Sequence, residues 1–187
     1  MDKDFKPINN IYLNQAFDGE VYEKTLLECQ QIAKAYACAE NAIVSMGNNI
    51  KNCSYCYFGG LADILGLKQE ERQPIIHSLY EEFIFGRADA EDLAHRHAHE
   101  LIFLHDTQTL LQQERRNYYL SDYLRIRDAQ GEWRWVEHRM FPLASLAAGR
   151  YWLCMCPYTL CTDTARIPKI VNTRTGTVRI RTNENYT

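Results

Sequence analysis

The chain has 187 residues, a net charge of −3, 46% hydrophobic residues and 12% aromatics. That suits one folded domain with flanking segments, or at most two small domains. The apolar content excludes an intrinsically disordered chain, and the charge gives no sign of a nucleic-acid surface.

The start, MDKDFKPINN, is too polar for a signal peptide, and no run approaches the 18 or so apolar residues of a membrane span. The seven cysteines are an odd number, which fits a disulfide framework poorly. Free thiols in a reducing cytoplasm are expected.

In chain order, Asp18-Gly19-Glu20 starts a helix over about 19–38. Tyr22, Leu26, Cys29, Ile32 and Tyr36 recur along it at helical spacing. Ala42–Met46 and Cys53–Tyr57 read as the two strands of a hairpin, each followed by a glycine turn. Leu61–Leu67 reads as a short helix closed by Gly66, and Pro74 as the first turn of another helix, with Ile75, Ile76, Leu79, Tyr80 and Phe83 as its apolar side.

Asp89 opens a longer helix to about Gln112. A helical wheel gathers Ala90, Leu93, Ala94, His97, Leu101 and Leu104 on one face and places His95 and His99 opposite. The period then changes. Tyr119–Arg127, Trp133–Leu143 and Tyr151–Tyr158 alternate as strands and form an antiparallel meander. In the Thr-, Asn- and Arg-rich tail, Lys169–Asn172 and Thr177–Arg181 suggest a separate hairpin on a solvated connector.

Helix, two strands, several helices and a meander give an α+β fold with helices on one face of an antiparallel sheet. That order resembles PAS domains. So do Leu61-Ala-Asp-Ile-Leu-Gly-Leu67 and Arg127-Asp-Ala-Gln-Gly-Glu-Trp-Arg-Trp-Val136, the latter followed by Pro142-Leu143 and Gly149. The N-terminal helix, Tyr57-Phe-Gly-Gly-Leu61, His138-Arg-Met-Phe141 and Asn172-Thr-Arg-Thr-Gly176 further resemble the N-terminal sensor half of LuxR-type transcription regulators. The resemblance implies a five-stranded antiparallel sheet, an N-terminal helical extension over 1–40, a PAS-like sensor over 41–160 and a connector over 161–187. DNA binding would belong to a helix-turn-helix domain outside this chain.

In a PAS-like fold the sheet curls around a pocket closed by helices. Strand alternation puts Val136, His138 and Met140 on one face of the middle strand, and the resemblance to flavin-binding PAS domains implies that this face, with the valine after the tryptophan, turns inward. The same logic selects Leu124, Ile126, Trp152, Cys154 and Cys156 on its neighbours, and the long helix adds His97, Leu101 and Leu104. His97 and His138 would be the polar pair of an otherwise apolar small-molecule site, or else core histidines satisfied by backbone or water. The N-terminal stripe of Tyr22, Leu26, Cys29, Ile32 and Tyr36 would pair two copies as a homodimer, or pack on its own sheet.

Other chemical signals are weaker. Cys53-Ser-Tyr-Cys56 lies inside a strand, where positions three apart face opposite sides, so neither a redox dithiol nor a zinc arm is expected. His95 and His99 are spaced to chelate a metal but lack a third ligand, and read as a solvated helix face. No cofactor is required, and haem on His97 is the runner-up. Flavin light-sensor chemistry is unsupported, because Asn52-Cys53 lies in the wrong element. GxSxG, HExxH, P-loop and GxGxxG motifs are all missing, so no enzyme is expected. The expectation is a signal-sensing regulatory domain, with a ligand-free structural dimerisation module as the alternative.

Overall fold

The computed structural model describes residues 22–145 and 151–180. Helix α1 (Tyr22–Ala39) precedes a hairpin of β1 (Ile43–Asn48) and β2 (Cys53–Phe58). Helix α2 (Leu61–Ile64), β3 (Ile75–Ile76), α3 (Glu82–Phe85), α4 (Ala90–Gln108) and α5 (Gln112–Arg115) lead to the meander of β4 (Tyr118–Arg127), β5 (Trp133–Ser145) and β6 (Tyr151–Leu160). Strands β7 (Lys169–Asn172) and β8 (Val178–Ile180) follow. No helix among the described residues is long and apolar enough to cross a membrane.

The strands form one eight-stranded antiparallel sheet in the order β3-β2-β1-β6-β5-β4-β7-β8. The hairpin joins the meander through β1 and β6, with Ser45 opposite Cys156 and Met46 opposite Met155. This is an α+β fold, and its order of elements is the one the PAS resemblance implies.

The sheet exceeds the expected five strands, and the additions lie at its two edges. The tail hairpin does not stand apart: β7 pairs with β4, Tyr118 opposite Asn172 and Leu120 opposite Ile170, and Ile170 is buried. The expected helix at Pro74 is absent. Ile75 and Ile76 instead pair with Tyr55 and Ser54 as a short edge strand. Proline lacks a ladder donor and suits the start of an edge strand, and its carbonyl accepts the Cys56 amide at 2.9 Å.

Local chemistry explains several boundaries. Asp89 caps α4 by accepting the Glu91 and Asp92 amides. Arg125 on β4 donates from Nε to Asp92 Oδ2 at 2.7 Å and from Nη2 to Asp89 Oδ1 at 2.9 Å, pinning the start of α4 to the sheet. Asp128 closes the β4–β5 turn by accepting the Gln130 and Glu132 amides and Arg134 Nε. Gly66, at φ +67°, approaches Ala129 so closely that a Cβ would lie 2.8 Å from the alanine methyl.

The buried face of α4 differs from the wheel expectation. Arg96, His97, His99, Glu100, Phe103, Leu104 and Thr107 are buried, whereas Ala90 and Ala94 are exposed. The helix is turned by close to one residue's step, ~100°. Arg96 and Glu100, an oppositely charged pair four residues apart, thus face the sheet, with Glu100 accepting from Arg96 at 2.7 Å.

The sheet is covered on both sides. On the outer face, Cys29, Ala33 and Ala37 of α1 pack with Val44, Met46, Trp152, Leu153 and Met155. On the inner face lie two apolar clusters. One gathers Ile43, Leu61, Phe85, Leu124, Ile126 and Val136, and the other Phe103, Leu104, Leu120, Met140 and Cys154.

Candidate functional site

Between the two inner clusters sits a group of buried polar side chains from five parts of the chain. Helix α4 supplies Arg96, His97 and Glu100, β5 supplies His138, and β6 supplies Cys156 and Tyr158. Glu81 comes from the turn before α3, and Ser45 from β1. Alternation along β5 brings His138 inward between Val136 and Met140, all three fully shielded from solvent or nearly so.

The groups form a connected chain. Arg96 Nη2 donates to Glu100 Oε1 at 2.7 Å, and Arg96 Nε donates to His138 Nδ1 at 3.3 Å. The guanidinium carbon lies 4.8 Å from the centre of the Phe85 ring, a cation–π contact away from water. The His138 ring packs at 4.8 Å on Tyr158, whose hydroxyl donates to Glu81 Oε2 at 3.0 Å. His97 stands edge-on to Phe85 with ring centres 5.9 Å apart.

One cation, Arg96, faces two carboxyl groups in this space. Burial pushes Glu100 up to about 7, although Arg96 beside it pulls the other way. Burial raises Glu81 too, again against the pull of Arg96. Burial and then Arg96 lower His97 to about 3 and take His138 well below its ordinary value, so both imidazoles are neutral at pH 7. Burial, then the charge of Glu81, lifts the Cys156 thiol, and burial lifts the Tyr158 phenol. The site therefore offers neutral ring nitrogens, a protonated thiol and phenol, and acidic oxygens short of positive charge.

Cys156 sits mid-sheet, with β1 on one side and β5 on the other, on the helix-covered face. It nevertheless retains accessible surface. A solvent-sized space therefore touches this residue, while its thiol is enclosed with Glu100 and His138.

The residues selected from sequence fall into three places. His97, Leu124, Ile126, Val136 and His138 surround one end of the polar group; Leu101, Leu104, Met140 and Cys154 surround the other; Cys156 touches both apolar clusters. Trp152 is a correction. A register shift between β5 and β6 near Ala144 turns it to the outer face, where it packs beneath α1 and donates to Asn48 Oδ1 at 3.3 Å. A slip of one residue exchanges the faces of a strand.

The histidine spacing also changes meaning. His99 is buried, not solvated, and its Nδ1 lies 2.6 Å from Asp122 Oδ2 on β4. It cannot join the half-buried His95 in a surface chelate. Cys53 and Cys56 lie in clusters on opposite faces of the sheet, as their spacing indicates. Arg96, Glu100, Glu81 and Tyr158 went unselected. Continuing the Cys154–Cys156 alternation by one step finds Tyr158, but nothing local marks Glu81.

On α1, Cys29 is buried against the sheet, and Leu26 and Tyr36 pack partly on the same cluster. Ile32 points away and is half exposed, as is Leu27. The Tyr22 side chain lies outside the described residues.

No family model matches the sequence, and no curated protein matches it. Among solved structures the chain is similar to the sensory box histidine kinase/response regulator from Burkholderia thailandensis E264. The two share 20% identity over 73% of this chain and 87% of that one, with a TM-score of 0.45. It is also similar to the phage VqmA–DPO complex, at 15% identity over 76% of this chain, with a TM-score of 0.40. The match spans 57% of that second chain.

Proposed function

We propose that this chain is a signal-sensing domain of PAS type and that the buried polar cluster between α4 and the sheet is its sensory element. The observation that carries this reading is the Arg96–Glu100–His138 group itself, enclosed by apolar side chains with accessible space left at Cys156. Stability alone gives little reason for it, because a buried ion pair is often no better than apolar residues of the same volume. Small-molecule sites have this composition: apolar walls and a few convergent polar groups.

In this reading the role is regulatory, and Cys156 is not a nucleophile. A nucleophilic cysteine needs a lowered pKa, and that of Cys156 is raised. Occupancy would act through α4, which meets β4 at Arg125, and β4 carries β7 and β8 toward the C-terminal side. In this reading the output is a DNA-binding domain of a longer LuxR-type regulator. Two copies pair through the outward side of α1, supported by the exposed Leu27 and Ile32. Ligands act by binding one conformation better than the other.

Native mass spectrometry of protein purified from its own host tests the reading. A bound small molecule that is lost in the His138→Phe variant is expected. A folded, empty parent protein whose melting temperature no compound of a metabolite panel raises would overturn it.

A further inference from the structure

The cluster brings together metal-ligating atoms from three elements. A carboxylate oxygen of Glu100 on α4, an imidazole nitrogen of His138 on β5 and Cys156 Sγ on β6 lie within 4.8 Å of one another. Carboxylate, imidazole and thiolate are together the donors that zinc-like ions take, and three protein ligands leave a fourth position for exchange. We propose that Glu100, His138 and Cys156 form a binding site for a divalent transition ion of the zinc type, and that the ion replaces Arg96 as the cation of the cluster. This rests on the sensor reading above and deepens it by naming the signal.

Charge balance supports the exchange. Glu81 and Glu100 both act on the single positive charge of Arg96. A divalent ion supplies the missing charge where the donors already converge. The His138 ring presents a lone pair, because its Nδ1 accepts from Arg96 Nε. The Cys156 thiol must release its proton to solvent as the sulfur–metal bond forms, so binding is linked to pH.

Arg96 has somewhere to go. It lies in the field of Glu81 as well as of Glu100, and its guanidinium already rests on Phe85. Transfer from Glu100 toward Glu81 keeps it paired. Because Arg96 and Glu100 sit one turn apart on α4, the exchange alters how that helix is held against β5. Tyr158 packs on the His138 ring and orients it from behind, as outer-shell groups do at metal sites.

Titration of the full, reduced protein with cobalt(II) tests the site, since a cobalt–thiolate bond shows a charge-transfer absorption. One equivalent should bind with release of a proton. The absorption should vanish in Cys156→Ser and persist in Cys53→Ser, whose cysteine lies on the other face of the sheet. His138→Gln and Glu100→Gln should each weaken binding by at least the ~10–100-fold typical of losing an outer-shell partner. Arg96→Gln should bind tighter than the parent, and the ion should raise its melting temperature more. Absence of the band at stoichiometric cobalt, its survival in Cys156→Ser, or unchanged affinity in Arg96→Gln would each sink the proposal. If the ion binds as described but leaves hydrogen exchange of α4, β7 and β8 unchanged, the site stands and its signalling role fails. If cobalt does not bind while a co-purified molecule is found, the metal site fails and the sensor reading stands.

Discussion

The two faces of the sheet are built on different physics. Under α1 the packing is apolar, with small Cys29, Ala33 and Ala37 letting the helix lie close over Val44, Met46 and Met155. Under α4 the apolar material is split into two clusters, and the gap is filled by Arg96, Glu100, His138 and Tyr158. The outer face depends on volume and shape. The inner face depends on every desolvated polar group keeping its partner, and a partly satisfied network is worse than none. Under the sensor reading proposed above, this difference puts the sensory element on the inner face.

Substitutions at four positions probe this contrast. Arg96→Met should have the largest effect, because it strands Glu100 and Glu81 without a cation. A loss of ~3–5 kcal/mol is expected by urea denaturation, most of it recovered in Arg96→Met/Glu100→Leu. A loss below ~1 kcal/mol would mean that the ion pair does not hold α4 in place.

Next comes pH. Glu100 is raised from 4.5 to about 7 in the folded protein, so between these values the folded state keeps a proton that the unfolded chain releases. Its contribution to stability therefore falls as pH rises through that window, by on the order of a few kcal/mol. His97 and His138 act oppositely. Their folded values are depressed, so their contribution falls as pH drops below 6.5, toward about 3 for His97. Glu100→Gln should reduce the fall between pH 4.5 and about 7 in urea titrations, with Glu81 left to supply the remainder. An identical pH slope in parent and variant would refute the assignment.

On the other face, Ala33→Leu should cost ~1–3 kcal/mol through overpacking beneath α1, with little change in the pH slope. A pH-dependent loss there would erase the contrast between the faces. Ile32→Ser, on the exposed side of α1, should change stability by no more than ~0.5 kcal/mol. Sedimentation of that variant reads whether α1 pairs two copies; an unaltered dimer would exclude this side of the helix as the seam.

Much of the architecture was legible because it is written locally. The stripe along α1, the glycine turns around the β1–β2 hairpin, the Asp89 cap and the Asp128 turn each act within a few residues. Strand alternation put Val136, His138 and Met140 on one face for the same reason, and the PAS resemblance turned that face inward, where the three are buried. The centre of the site was less legible. Arg96 and Glu100 have the spacing of a solvated helix pair, and no local pattern separates that from a pair buried beneath a sheet.

The sequence by itself determined most of the order of elements, their turns and which residues of β5 share a face, because periodicity and turn chemistry are properties of neighbouring residues. Tertiary structure alone decided the rest. It turned α4 so that its charges face inward, slipped the β5–β6 register so that Trp152 lies beneath α1, and attached β3 and β7 to the sheet edges. Each of those outcomes depends on desolvation and pairing between segments far apart in the chain. Whether a charge is buried or a strand finds an edge is therefore settled only when those segments meet.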